Sequence, residues 1–384
     1  MNRNAISRAG LGRVLTAAAV FALASTGPAA AKESRSYVLA YFGHAVASKE
    51  GDCQGGLNPK LDIQYAKNMQ ALGMPGAEIE KLMKNFGDEG QSWDKNKIGQ
   101  IMNTRARVNG EAENTFAHPA AVADANLKYV TGKVAKGFNL DGAADADAFA
   151  DPDTGEKGID NQVFRALGCV DPFRGTLASG TAFWLFMWMA EKDSMPAWLI
   201  TVEGDDLSKD GPVDVILSRA IEVTKFNANG EARADMTYRQ DPDPRMKANV
   251  FKGEIKGGIV NVASQANLHM MQDQLTFPNF DLANFHLRLT SDTEGRMEGL
   301  IGGYQPIEQV YFALGQGGLA AENNYSPELP GMYHLMRKLA DGPADAQGQR
   351  WSISTAYHIK AVPAFMAVKD TGATAKASEN TANR

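Results

Sequence analysis

The chemistry-bearing residues of this chain concentrate in residues 141–169, DGAADADAFADPDTGEKGIDNQVFRALGC. Asp141, Asp145, Asp147, Asp151, Asp153, Glu156 and Asp160 crowd the first part of that stretch, against the single Lys157. Carboxylates at this density repel one another unless a cation compensates them. Hard oxygens alternating along a loop, with no His or Cys nearby, suit calcium better than a transition metal, and a loop suits calcium's flexible shell better than magnesium's strict octahedron. The expected ligand set is Asp141, Asp145, Asp147, Asp151, Asp153, Asp160 and Asn161, with Gly155 and Gly158 where a wrapped backbone needs positive φ. The expected role of the ion is structural, and the rival reading is a solvated acidic turn.

The run DPDTGEKGIDN, residues 151–161, is similar to the oxygen-rich calcium loops of EF-hand-like and thrombospondin-type-3 proteins, in which alternating Asp side chains wrap the ion. Counting Asp151 as the first position, the place where an EF-hand carries its bidentate Glu is held by Gln162. The resemblance therefore implies a calcium loop without implying an EF-hand. The longer pattern GFNLDG…DPDTGEKGIDNQ…LGC resembles a stretch of uncharacterised exported bacterial proteins, and that likeness implies no activity.

Other chemistries are thinner. The six histidines, His44, His118, His269, His286, His334 and His358, form no HExxH and no close pair. His269 beside Met270 and Met271, and His334 between Met332 and Met336, are soft enough for copper(I), although the Met332/Met336 spacing equally fits a helix core. No GxSxG elbow, P-loop or GxGxxG is present. Glu203, Asp205, Asp206, Asp241, Asp243, Glu298 and Glu308 could supply a carboxylate pair for glycoside chemistry, but sequence gives no separation between them. Trp184, Trp188 and Trp198 cluster with Phe183 and Phe186, as a core helix or a sugar-stacking pocket would.

Several elements must position these groups. Residues 1–31 read as a Gram-negative-type export signal: Arg3, Arg8 and Arg13 precede a short apolar run that ends at Ala29-Ala30-Ala31. No later apolar run is long enough to span a bilayer, and no Cys follows the cleavage site, so no stable membrane anchor is expected. Periplasmic or secreted placement follows, and in an oxidising compartment Cys53 and Cys169 are expected to form one disulfide. A net charge of −6 with scattered basic residues gives no footprint for nucleic acid.

The periodicities predict an α+β fold: a small helical N-terminal region plus an antiparallel β-sandwich or partly closed barrel. Residues 32–160 are expected to hold the helical and irregular region with its acidic ion-binding connector, 161–368 the β domain with a C-terminal helix and strand, and 369–384 a disordered tail. Helices are predicted over 62–72, 75–86, 94–105, 162–167 and 329–339. Strands are predicted over 36–46, 198–203, 213–218 and 351–362, together with three hairpins turning at 227–230, 256–257 and 291–295. On the third hairpin Phe285, Leu287 and Leu289 should face a core while His286, Arg288 and Thr290 face away.

The function these features favour is an exported, calcium-stabilised binding or accessory protein, its partner a small molecule, glycan or protein. The alternative is an extracytoplasmic enzyme, either a carboxylate-based hydrolase or a copper-dependent oxidoreductase.

Overall fold

The computed structural model describes residues 32–59, 61–84, 100–101, 103–144, 148–174, 188–189, 192–271, 279–316 and 329–367. The expected export signal over 1–31, Asp145, Asp147, Trp184, most of the helix predicted over 94–105 and the tail expected over 369–384 lie outside the described residues.

In chain order the strands are β1 (Glu33–His44), β2 (Ala106–Val108), β3 (Glu111–Glu113), β4 (Phe149–Ala150), β5 (Lys157–Ile159), β6 (Pro196–Gly204), β7 (Gly211–Val223) and β8 (Met236–Tyr238). They continue with β9 (Asn249–Lys256), β10 (Ile259–Ala263), β11 (Leu268–Met271), β12 (Asn279–Ser291), β13 (Met297–Pro306) and β14 (Ser352–Met366). Neighbours pair in the order β1-β6-β7-β9-β10-β12-β13-β14, and β14 pairs antiparallel with β1, so the sheet closes on itself as an eight-stranded antiparallel barrel. Closure removes the free edges that an open sheet would expose.

Alternation along each strand decides what fills the barrel. Phe285, Leu287 and Leu289 are buried, as the sequence predicts, and His286 and Arg288 point the other way. Rings from strands that are not neighbours meet inside. Phe42 on β1 lies 5.4 Å from Phe280 on β12, Trp198 on β6 lies 5.2 Å from the same ring, and Phe251 on β9 stacks 4.4 Å from Phe285. Eight strands leave an interior that such side chains can occupy.

One end of the interior is polar. His44 lies between Tyr357, 4.4 Å away, and Phe173, 5.1 Å away, with Nδ1 3.4 Å from the Thr355 hydroxyl. Tyr357 donates to Gln305 Oε1 at 2.5 Å. Burial holds the His44 imidazole down at about 3, so the ring is neutral.

Helices and loops close the outside. Helices α1 (Leu61–Ala71) and α2 (Gly76–Met83) share a small cluster of Met69, Ile79 and Leu82. Helix α3 (Gln162–Leu167) begins at Asn161, whose side chain accepts from the Phe164 N–H. That is the capping role for which Asn is favoured. Its buried Val163, Phe164 and Leu167 share the main core with Met332, Leu335 and Met336 of α6 (Leu329–Lys338); α4 (Asp171–Arg174) and α5 (Ile307–Gln316) lie between them in sequence. None of the described helices is long and apolar enough to cross a membrane.

Cys53 and Cys169 are joined, with Cα atoms 5.8 Å apart. Arg174 reinforces the join, pairing with Asp52 at 2.7 Å and donating to the Gly168 carbonyl at 2.9 Å. The staple thereby ties residues 45–58 to the α3–α4 segment that carries Phe173 onto His44.

The first predicted hairpin forms in part. Its turn closes, with Asn227 N–H on the Glu231 carbonyl, and its legs meet at isolated antiparallel bridges, Phe226 with Ala232 and Ala220 with Gln240, rather than as a regular ladder. Between those bridges the return leg pairs in parallel, as β8, with the far end of β14 through Met236, Thr237 and Tyr238. The reason is packing: Tyr238 covers the outward apolar patch of Val38, Leu199, Ala220 and Val362, which would otherwise be wet. The second and third hairpins form at β9–β10 and β12–β13 as predicted.

Candidate binding groove and the acidic connector

The acidic stretch is a two-stranded hairpin with elaborated flanks. Strands β4 and β5 pair, and residues 151–156 turn between them. Asp151 organises that turn. Its Oδ1 accepts the N–H groups of Asp153 at 2.9 Å and Thr154 at 3.0 Å, and its own N–H donates to the Glu156 carbonyl at 2.8 Å. Gly155 and Gly158 have φ of 72° and 82°, as expected, and a Cβ on Gly158 would meet the Ala143 carbonyl at 2.1 Å. Only glycine fits there.

Positive charge from the barrel wall meets this turn. Arg288, on the outward face of β12, reaches Asp151 at 3.1 Å and Glu156 at 3.4 Å; Lys136 reaches Asp153 at 2.9 Å. Asp151 is 3% exposed, and burial alone would raise its carboxyl, yet the two N–H donors and Arg288 hold it below the usual range.

The other predicted ligands are engaged differently. Asn161 is committed to the helix cap and donates to the Lys136 and Ala45 carbonyls. Asp141 accepts from Ala143 N–H at 2.7 Å. Asp160 accepts from Leu140 N–H at 2.7 Å, and burial, with Asp141 and Asp341 nearby, pushes its carboxyl up to about 6. So the structure separates Asp151 and Asp153, already paired with cations, from Asp160, which neighbours other carboxylates. Among the described residues no three His, Cys, Asp or Glu side chains converge as a metal cage, and Asp145 and Asp147 lie outside them.

The connector forms one rim of a groove of about 990 Å³ on the outer wall of the barrel. Its floor is the outward face of β12, β13 and β14; Asp153 and Thr154 stand at one side, the 230–234 segment at another, and the β12–β13 turn at the end. At the centre His358 bonds Glu298 at 2.7 Å, and Lys360 reaches the same carboxylate at 3.4 Å. Burial pulls the His358 imidazole below its ordinary value despite the Glu298 contact. Burial pushes the Glu298 carboxyl up, but the bond from His358 and the charge of Lys360 outweigh it and leave the group lowered. Arg296 at the turn is matched by Asp292 at 2.7 Å and Glu294 at 2.9 Å.

Lys136 and Lys360 are site residues that sequence reasoning missed, and it named Arg288 and His358 without placing them at this groove. The alternation of β12 and β14 marks Arg288, His358 and Lys360 as outward-facing, but nothing local places the connector against them.

The remaining sequence candidates are dispersed. Asp206, Asp241 and Asp243 each bind a cation of their own, Lys209, Arg219 and Arg245, and so do not face one another as a free carboxylate pair. On β11 the two-residue period puts exposed His269 and buried Met270 on opposite faces, and His269 Nδ1 meets the Asp281 carboxylate. Met332 and Met336 are buried in the core, and His334 Nε2 lies 2.8 Å from the Val122 carbonyl. His269 is thus separated from Met270, and His334 is engaged by Val122 rather than by Met332 or Met336. Trp188 packs edge-on to Tyr41 at 5.9 Å whereas Trp198 lies inside the barrel, so these two do not share a face. Searches against family models, curated proteins and solved structures gave no match.

Proposed function

We propose that this chain is an exported, non-catalytic binding protein whose barrel-wall groove holds a neutral, hydroxyl-rich chain, a segment of glycan. One observation carries the reading: each cation lining the groove, Lys136, Arg288, Arg296, His358 when protonated, and Lys360, already has a carboxylate within 3.4 Å. An anionic ligand would have to break such pairs, and carboxylates left unpaired in a partly desolvated groove are costly. Hydroxyl groups bond to spare lone pairs and N–H groups without breaking any. The disulfide accords with an oxidising compartment, as the export signal does.

The test is an array of neutral and charged oligosaccharides probed with the mature protein, followed by calorimetry of the hits at low and high salt. Neutral hits whose affinity is unchanged by salt, and which Arg288→Ala weakens, support the reading. Binding only to charged polymers, falling steeply with salt, overturns it.

A second reading keeps calcium at the connector: Asp160, raised chiefly by burial and further by Asp141 and Asp341, lies where a cation would offset the repulsion of those carboxylates. Bound only to the native state, calcium would add stability by mass action, about 2.7 kcal/mol at a hundredfold excess over its dissociation constant. Titration of chelator-treated protein decides it: no heat at millimolar calcium leaves the connector a hairpin held by Arg288 and Lys136 alone.

A further inference from the structure

A second concavity, of about 550 Å³, lies between the 116–121 segment and helices α5 and α6, and its wall is of a different kind. Four aromatic side chains line it: Phe116, Tyr311, Phe312 and Tyr333. Tyr311 and Tyr333 form an edge-to-face pair, 5.6 Å apart at 76°. The Tyr311 hydroxyl donates to the Phe116 carbonyl at 3.1 Å, fixing the loop across the helices. Phe312 is 38% exposed, and Phe116, Tyr311 and Tyr333 are half-buried against the core.

Among the described residues the lining holds one carboxylate, Glu308, exposed in the first turn of α5, together with His118, and no Lys or Arg. Burial holds the Tyr311 hydroxyl well above its ordinary value, so that group stays neutral. The buried Arg105 acts on Tyr311 without lining the pocket. Ring faces carry negative quadrupole potential, and a carboxylate at their margin adds to it.

We propose that this pocket binds a small organic cation, a quaternary or alkylated ammonium group. Such a group presents an apolar methyl shell to the rings while its charge is spread over that shell, where ring faces and Glu308 both attract it. A bare metal ion would find one carboxylate where it needs a cage of oxygens. An uncharged apolar molecule would fill the rings but gain nothing from Glu308. The size lies within the ordinary range of small-molecule sites. The site is separate from the barrel-wall groove and stands or falls independently of it.

The experiment uses the intact mature protein and two probes of one shape, choline and its uncharged isostere 3,3-dimethylbutan-1-ol, titrated by calorimetry and by NMR. Choline is expected to bind about tenfold more tightly than the isostere. Glu308→Gln should weaken choline binding and leave the isostere's unchanged, and Tyr333→Leu should weaken choline binding more than the isostere's. Equal affinity for the two probes would make the pocket merely apolar and overturn the proposal, as would absence of choline binding. Should Tyr333→Leu fail to fold, the surface change Glu308→Gln still decides the outcome, because its loss of charge must reduce the choline preference.

Discussion

At the scale of single residues the structure turns on buried groups whose charge state is fixed by what surrounds them. His44 has a native value of about 3 against an ordinary 6.5. Between those values the unfolded chain binds a proton that the native chain refuses, so the His44 contribution to stability rises with pH, by about 1.4 kcal/mol per unit. Asp160 runs the other way. Its carboxyl is raised to about 6 from 3.8, the native chain holds the proton longer, and stability from this group falls as pH rises across that window. Urea denaturation at pH 4, 5 and 6 should show the difference between the parent and His44→Phe growing with pH; a constant difference would mean the imidazole is not kept neutral. Arg288 gives a second prediction. Arg288→Ala leaves Asp151, whose side chain is 1% exposed, without its cation, and should cost about 2 kcal/mol, part of which Asp151→Asn should restore in a double-mutant cycle. The need for glycine at 155 and 158 was legible in the sequence. That Asp151 would be matched by an arginine on a distant strand was not, because no local pattern encodes a pairing across so much intervening chain.

Elements show how far a period-two pattern carries. The alternation of β12 places Leu287, 1% exposed, inside the barrel and Thr290 outside it, so Leu287→Asp should cost about 4 kcal/mol or prevent folding while Thr290→Asp stays within about 0.5 kcal/mol. Similar melting curves for the two would mean that the register is wrong. Legibility failed at β8, where the residues that look like a hairpin's return leg serve another patch: strand propensity says that a segment is extended but not which apolar surface it will cover. The disulfide was readable from the cysteine count together with the export-signal pattern of residues 1–31. Its removal by Cys53→Ser with Cys169→Ser should cost about 2–5 kcal/mol by denaturant titration. The same change should also raise the acid sensitivity of the polar end of the barrel, since the staple holds Phe173 over His44.

For the whole molecule, the sequence distinguished a β-rich body from helical additions but left sandwich and barrel open, since both are built from the same hairpins. What decides between them is one long-range pairing, β1 with β14, in which Ser36 lies opposite Ala364 and Tyr37 opposite Pro363. The same pairing explains why β1, grouped by sequence with the helical region, works as a barrel stave.

That seam also fixes where the chain can be cut and rejoined. Because β1 runs back toward Glu33 beside a β14 that runs on to Met366, a short turn would link the two as an ordinary hairpin, and every strand pairing of the barrel would survive. The order of the strands in sequence is then a matter of where translation happens to begin, and a circular permutant opened in the 292–295 turn and sealed at the seam should fold to the same barrel with its groove redrawn only at that turn.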